Sequence, residues 1–220
     1  MALRAVFFDL DGTLLDTAPD LAKALNHLLR AKGKDPLPLN IIRRVVSDGA
    51  YALLQLGFGV EKNDAETEEL RSELLQFYLQ DLSSETHPFP GINQLIETLH
   101  QHNIDWGIAT NKPWTYTEPL MQRYEFARAP SCVICPDHVQ HRKPHPEALQ
   151  LACSQTGCDT QEAIYVGDHL RDIQCGQRAG MPTIAVGYGY ISSDDSHLNW
   201  NADYVVDSAE EIWPIVRSYI

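Results

Sequence analysis

The sequence predicts an α/β fold in which a Rossmann-like parallel sheet is covered by helices and interrupted by an inserted helical domain. Three observations predict it. Short runs rich in β-branched and aromatic residues recur along the chain, and helix-like segments separate most of them. The stretch after the first run instead reads helical throughout.

The predicted strands are residues 4–10, 105–110, 132–134, 163–166 and 183–186. Each is short, apolar and bounded by turn-forming residues, as expected of strands buried on both faces. The helices expected between and after them are 91–102, 115–124, 146–156, 170–179 and 209–219, where apolar residues recur three and four apart. Pro214 makes the last of these irregular. Residues 21–31, 41–46, 51–56 and 66–82 read as the helices of the insertion. Its hinges fall near 16–19 and 86–91, where Pro19, Pro88, Pro90 and Gly91 punctuate the pattern. The expected division is therefore a core of 1–15 and 89–220 and an inserted domain of 16–88.

Composition narrows the function classes. The chain has 220 residues, 44% of them apolar, enough for a full core, so disordered and fibrous classes are excluded. No apolar run approaches the roughly 20 residues a membrane span needs. The first ten residues read as a strand rather than a leader. A cytoplasmic protein is expected. The 5 cysteines are an odd number in a chain of this size, which points to reduced thiols. With 30 acidic against 17 basic residues and a formal charge of −13, nucleic acid is a poor partner. A small phosphorylated metabolite remains open, because a metal, one lysine and oriented N–H groups can supply local attraction. The residues say nothing of oligomeric state.

The chemistry concentrates at predicted strand ends, the edge where open α/β sheets bind ligands. The first strand runs into Asp9-Leu10-Asp11-Gly12-Thr13, and Gly12 lets the chain turn so that two carboxylates converge in different environments. One can attack while the other handles a proton. Alone, Asp-x-Asp-Gly is as often a turn and cap after a strand. Three further fragments follow at later strand ends: Ile108-Ala109-Thr110-Asn111, Arg142-Lys143-Pro144, and Tyr165-Val166-Gly167-Asp168-His169-Leu170-Arg171-Asp172. Together they raise the reading from a turn to a site.

In this order these four motifs resemble those of the haloacid dehalogenase superfamily, matched across nearly the whole chain, and the insertion resembles that family's cap domain. The resemblance implies an enzyme, a phosphoric monoester hydrolase, in which Asp9 is the nucleophile and forms an aspartyl phosphate. It implies that Asp11 is the acid and base, a role suited to a carboxyl whose proton affinity neighbouring acids raise. Aspartate at this second position favours phosphate-ester hydrolysis over dehalogenation. Thr110 and the Asn111 amide would bind the phosphoryl group, and Lys143 would offset negative charge on nucleophile and substrate. A strand-end cap and a surface lysine are the plain alternatives for Thr110 and Lys143.

The implied cofactor is Mg²⁺, held by Asp9, Asp168 and the main-chain carbonyl of Asp11. Asp172 would hold a metal-bound water or orient Lys143; its plain alternative is helix N-terminal charge. His169 stands where relatives often carry a small hydroxyl or acidic residue, which argues against ligation from that position.

Within the superfamily the chain resembles the phosphoglycolate phosphatase branch. Thr110-Asn111-Lys112-Pro113, Cys135-Pro136-Asp137-His138-Val139 and Gly187-Tyr188-Gly189-Tyr190-Ile191 resemble the bacterial N-acetylmuramic acid 6-phosphate phosphatases more closely. The substrate this implies is that cell-wall sugar phosphate, with 2-phosphoglycolate as the alternative. Substrate choice is expected to depend on residues 17–24 and on Ser47-Asp48-Gly49-Ala50. There Gly49 either admits a ligand to the backbone or separates two helices.

Three other readings stay open. A phosphomutase or phosphonate hydrolase would reuse the aspartate nucleophile, the latter with a cap lysine drawn from Lys23, Lys32, Lys34 or Lys62. A zinc site would use Cys132 and Cys135 with His138, His141 and His145. A non-enzymatic regulator would keep the fold alone.

Overall fold

The computed structural model describes residues 2–62, 65–192 and 195–220. The chain divides into two compact units, Met1–Leu15 with Pro88–Ile220, and Asp16–His87.

In chain order the first unit opens with β1 (Ala5–Phe8) and the chain leaves it at β2 (Leu15–Asp16). The second unit holds α1 (Ala18–Ala31), α2 (Leu39–Ile42), α3 (Ala50–Phe58) and α4 (Ala65–Gln80). The chain returns at β3 (His87–Pro88). There follow α5 (Ile92–Gln101), β4 (Asp105–Ala109), α6 (Trp114–Arg123), β5 (Val133–Ile134) and α7 (Glu147–Thr156). The last elements are β6 (Ala163–Gly167), α8 (Leu170–Ala179), β7 (Thr183–Val186), β8 (Tyr204–Val206) and α9 (Ile212–Arg217).

The first unit is built on a six-stranded sheet in the order β5-β4-β1-β6-β7-β8, parallel at every pairing. Its central strands are buried on both faces, which is why Ala5-Val6-Phe7-Phe8 carries no polar residue. Register aligns Phe8 with Ile108 on one side and Val166 on the other, so the strand-end residues that follow emerge side by side. The order reverses at β1, whose neighbours β4 and β6 lead outward in opposite directions, and the Asp9 segment leaves the sheet at this switch point.

The strands appear where the sequence predicts them, the first three shortened, 183–186 unchanged and 163–166 extended by Gly167, and β8 adds a sixth that the pattern does not announce. It is a three-residue edge strand with Val205 exposed, so the continuous apolar signature of a central strand is missing. The predicted helix 209–219 divides into a 3₁₀ turn, Ala209–Glu211, and α9. This break puts Pro214 in the first turn of α9, where a missing N–H breaks no helical bond.

In the second unit α1 and α4 each bury one face. Leu70, Leu74 and Tyr78 recur at four-residue spacing along α4, and Leu25, Leu28 and Leu29 do the same work on α1. His27 stacks on Phe77 with ring centroids 4.0 Å apart. Gly49, at φ 82°, lies between the 3₁₀ turn Arg43–Asp48 and α3, so it serves as a joint between helical segments. Asp20 is buried, and its carboxylate accepts bonds from Ser84 Oγ, both Thr86 donors and the Glu85 N–H. In the expected specificity segment 17–24 this side chain is therefore a structural anchor. Among the described residues, no helix is long and apolar enough to cross a membrane.

Candidate active site

The site forms at the carboxyl ends of β1, β4 and β6. Asp9 follows β1 directly, and its N–H donates to the Val166 carbonyl at 2.9 Å, extending the ladder by one residue and fixing the side chain beyond it. The Asp9 carboxylate receives Lys143 Nζ at 3.0 Å and the Leu10 N–H at 2.7 Å. Both contacts use Oδ1, so its two oxygens are inequivalent.

Lys143 is held from four sides. Its Nζ lies 2.7 Å from Asp172 Oδ1, 2.9 Å from the Ala109 carbonyl and 2.8 Å from the Tyr165 hydroxyl. Burial alone would favour the neutral amine. Asp172 and Asp9 outweigh that, and the ammonium is held above the usual lysine range. The surface-lysine alternative is thereby excluded, since Lys143 is 3% exposed. Tyr165, which donates to the Ala109 carbonyl at 2.7 Å, is likewise kept protonated by burial and by Asp172 and Asp9.

Asn111 braces the loop that carries this lysine. Its carboxamide accepts from the Lys143 N–H and donates to the Lys143 carbonyl, both at 3.0 Å. The expected substrate-binding side chain thus has a positioning task, because strand β4 ends opposite the Lys143 loop. Thr110 is buried, and its hydroxyl oxygen accepts the Lys112 N–H at 3.1 Å. That bond turns the chain and brings Lys112 Nζ to 3.0 and 3.3 Å from the two oxygens of Asp11. The structure therefore sets a cation beside Asp11, where the sequence reading expected neighbouring acids. Gly12, at φ 80°, makes the turn, and a Cβ there would overlap the Asp168 carboxylate.

Asp168 follows β6 and is 1% exposed. Its carboxylate accepts the Tyr190 N–H at 2.8 Å and the Thr13 hydroxyl at 3.4 Å. Burial, with Asp9 and Asp172 adding repulsion, pushes its pKa well above the usual carboxylate range. Asp172 sits in the first turn of α8, accepts the His169 N–H at 3.1 Å and is fully buried. Its pKa is raised too, by burial first, against the opposing pull of Lys143. The helix-charge alternative for Asp172 is too weak a description of a side chain that touches Lys143. His169 caps α8, its Nδ1 accepting from the Arg171 N–H.

Oxygens of Asp9, Asp168 and Asp172 lie within 4.8 Å of one another. Three carboxylates facing a single ammonium leave excess negative charge in a buried place. That donor set fits a hard divalent cation such as Mg²⁺, which takes oxygen ligands. The Asp11 carboxylate does not join this group, and Asp172, expected outside it, does.

Sequence reasoning missed Lys112, Tyr165 and Tyr190. Lys112 was visible within Thr110-Asn111-Lys112-Pro113 and Tyr190 within Gly187-Tyr188-Gly189-Tyr190-Ile191. Gly189 lies against Asp168 so closely that a Cβ would overlap it, which explains the small residue beside the donating amide. Tyr165 carried no signal, being one more aromatic in a buried strand. Cys132 and Cys135 are buried and join no potential metal-ligand cluster among the described residues, so the zinc site read from them does not form. Lys23, Lys32, Lys34 and Lys62 are exposed on the second unit, without the desolvation that activates an amine.

Comparison with known proteins gives the family. The sequence profile of the haloacid dehalogenase-like hydrolases matches residues 6–186. The chain belongs to that family. It is 43% identical over 212 residues to the N-acetylmuramic acid 6-phosphate phosphatase of Pseudomonas aeruginosa, covering 96% of this chain and 94% of that one. Identity to a phosphoglycolate phosphatase of Xanthomonas campestris pv. campestris is 37% over 210 residues, covering 96% and 95%. Among solved structures, a predicted phosphoglycolate phosphatase from Haemophilus somnus superposes with a TM-score of 0.86 at 22% identity, covering 97% of each chain. A hydrolase from Pseudomonas syringae superposes at 0.73 and 22%, covering 98% of each. These hydrolase structures share the sheet and its helices.

Proposed function

We propose that this haloacid dehalogenase-like hydrolase is a cytoplasmic, Mg²⁺-dependent phosphatase that hydrolyses a small phosphate monoester through a phosphorylated Asp9. The observation that carries the reading is the convergence of Asp9, Lys143, Asp168 and Asp172 at one sheet edge.

A divalent cation held by Asp9, Asp168 and the Asp11 main-chain carbonyl, with Asp172 beside it, would neutralise phosphoryl charge and orient the ester. The protein's own groups do the rest. An Asp9 oxygen bonds to phosphorus as the bond from phosphorus to the leaving alkoxide breaks. The Asp11 carboxyl gives its proton to that alkoxide, and its carboxylate later takes a proton from the water that attacks phosphorus, freeing Asp9 and inorganic phosphate. Thr110 donates to the phosphoryl oxygens. Lys143 offsets charge on nucleophile and phosphate, with Asn111 and Asp172 fixing its position. The unit 16–87 acts as the cap that excludes water.

We infer N-acetylmuramic acid 6-phosphate as the substrate, from the 43% identity to an enzyme of that name; 2-phosphoglycolate is the second reading, supported at 37%. The test is phosphate release with excess Mg²⁺ from both compounds and a panel of sugar phosphates, with Asp9→Asn as the blank. A kcat/KM for the muramic sugar far above the others is expected, and a preference for phosphoglycolate would overturn the assignment. Wild-type turnover by Asp9→Asn would sink the covalent mechanism.

A further inference from the structure

The loop between β5 and α7 carries Lys143 on its inner side and a group of a different kind on its outer side. His141 Nδ1 lies 3.0 Å from Glu147 Oε2, and His145 Nδ1 lies 3.8 Å from the same oxygen. The two imidazole rings face each other with centroids 4.6 Å apart. One ligand atom from each of the three residues can be chosen so that all lie within 4.8 Å. Bonds of about 2.0–2.2 Å to a tetrahedral zinc ion place ligand atoms roughly 3.3 Å apart, which the observed separations bracket.

The carboxylate is in place before any ion arrives, while His141 Nδ1 bonds to it and His145 Nδ1 accepts the Glu147 N–H at 3.3 Å, contacts that an ion would replace. The Glu147 carboxylate is oriented by the N–H groups of Gln140, at 2.8 Å, and His141, at 2.9 Å. The His145 carbonyl accepts the Cys175 thiol, and the Pro144 carbonyl accepts from Arg178 at 2.9 Å, tying the loop to α8. Two imidazoles and one carboxylate are a donor set for zinc and its neighbours in the first transition row, whereas Mg²⁺ prefers oxygen alone. Three protein ligands on an open surface leave a fourth position for solvent.

We propose that His141, His145 and Glu147 form a second metal site, of zinc class, distinct from the Asp9, Asp168 and Asp172 group. Because Lys143 lies between the two histidines in sequence, an ion bound there clamps the loop that positions this lysine.

The test is equilibrium dialysis of the full chain against Zn²⁺ with Mg²⁺ in large excess, so that the carboxylate group is saturated. One zinc per chain is expected. Replacing both histidines in His141→Ala/His145→Ala is expected to weaken it by at least ~100-fold, the upper end of what even an outer partner of a ligand costs. The two side chains are 62% and 50% exposed, so the double variant is expected to fold and to keep its Mg²⁺-supported turnover. Cu²⁺ bound under the same conditions should show nitrogen hyperfine coupling in its electron paramagnetic resonance spectrum, lost in the variant. Absence of zinc uptake by the wild-type chain, or unchanged zinc affinity in the variant, would overturn the site.

Discussion

The Lys143 ammonium is 2.7 Å from Asp172, nearer than its 3.0 Å approach to Asp9. The lysine beside Asp9 is therefore held chiefly by a different carboxylate, in the first turn of α8. Asp172→Asn keeps the shape and removes the charge. Burial and repulsion from Asp9 oppose the ionised Asp172, while Lys143 favours it. Asp9 still faces Lys143 in the variant, so the loss of stability should stay below the roughly 3–5 kcal/mol of a buried charge left with no partner. Turnover, which needs Lys143 in place, is expected to fall on the order of 100-fold. Urea denaturation and steady-state kinetics on the same sample check both numbers, and wild-type kcat would remove Asp172 from the positioning role.

Lys112 contacts both oxygens of Asp11, and its side chain is 7% exposed. Lys112→Met should lower kcat by roughly 10- to 100-fold, because general acid–base work depends on where the carboxyl is held. Lys112→Arg should recover part of the loss, since it restores the charge with a different geometry. An unchanged kcat for the Met variant would leave Lys112 a bystander.

Asp20 anchors the unit 16–87 from its first helix. Its four accepted bonds come from Ser84, Glu85 and Thr86, all close to where the chain leaves that unit. Asp20→Ala strands buried donors and is expected to destabilise this unit by about 1–3 kcal/mol. Hydrogen exchange should show faster opening across 16–87 with the sheet protected as before. Uniform acceleration through both units would show that they unfold together.

The buried thiols set a pH limit. Burial pushes Cys132 up to about 12, Cys135 to about 11 and Cys175 to about 12. A thiol raised in the folded state gives stability that is fully present below its unfolded pKa, near 8.5, and is lost as pH climbs toward the folded value. Stability should accordingly be level to about pH 8 and then fall, by up to ~1.4 kcal/mol per pH unit for each thiol. Denaturant midpoints from pH 7 to 10 measure this. A disulfide reagent at pH 8 should modify these three only after unfolding, and fast labelling of the native chain would contradict the burial.

Much of the fold was written in local pattern. Ala5-Val6-Phe7-Phe8 and Ala163-Ile164-Tyr165-Val166 can be little else than central strands, because burial on both faces demands unbroken apolar character. Asp9, Asp11, Lys143 and Asp168 were legible because each stands at the end of such a run or in a short motif. β8 was not, since an edge strand with one face in solvent needs no such run.

What the sequence by itself determined is the alternation of elements and the residue types at the strand ends, for these depend on neighbours along the chain. Only the tertiary structure decided partners. It paired Lys143 with Asp172, set Lys112 against Asp11 and Tyr190 against Asp168, and drew Asn111 onto the Lys143 main chain. Such contacts join residues 22 to 101 positions apart, and their energies arise from burial and geometry that no local pattern encodes. The separation of Cys132 and Cys135 from His141 and His145 was decided in the same way. Cys132 and Cys135 flank β5 and are buried with it, whereas the loop before α7 turns the imidazoles outward to meet Glu147.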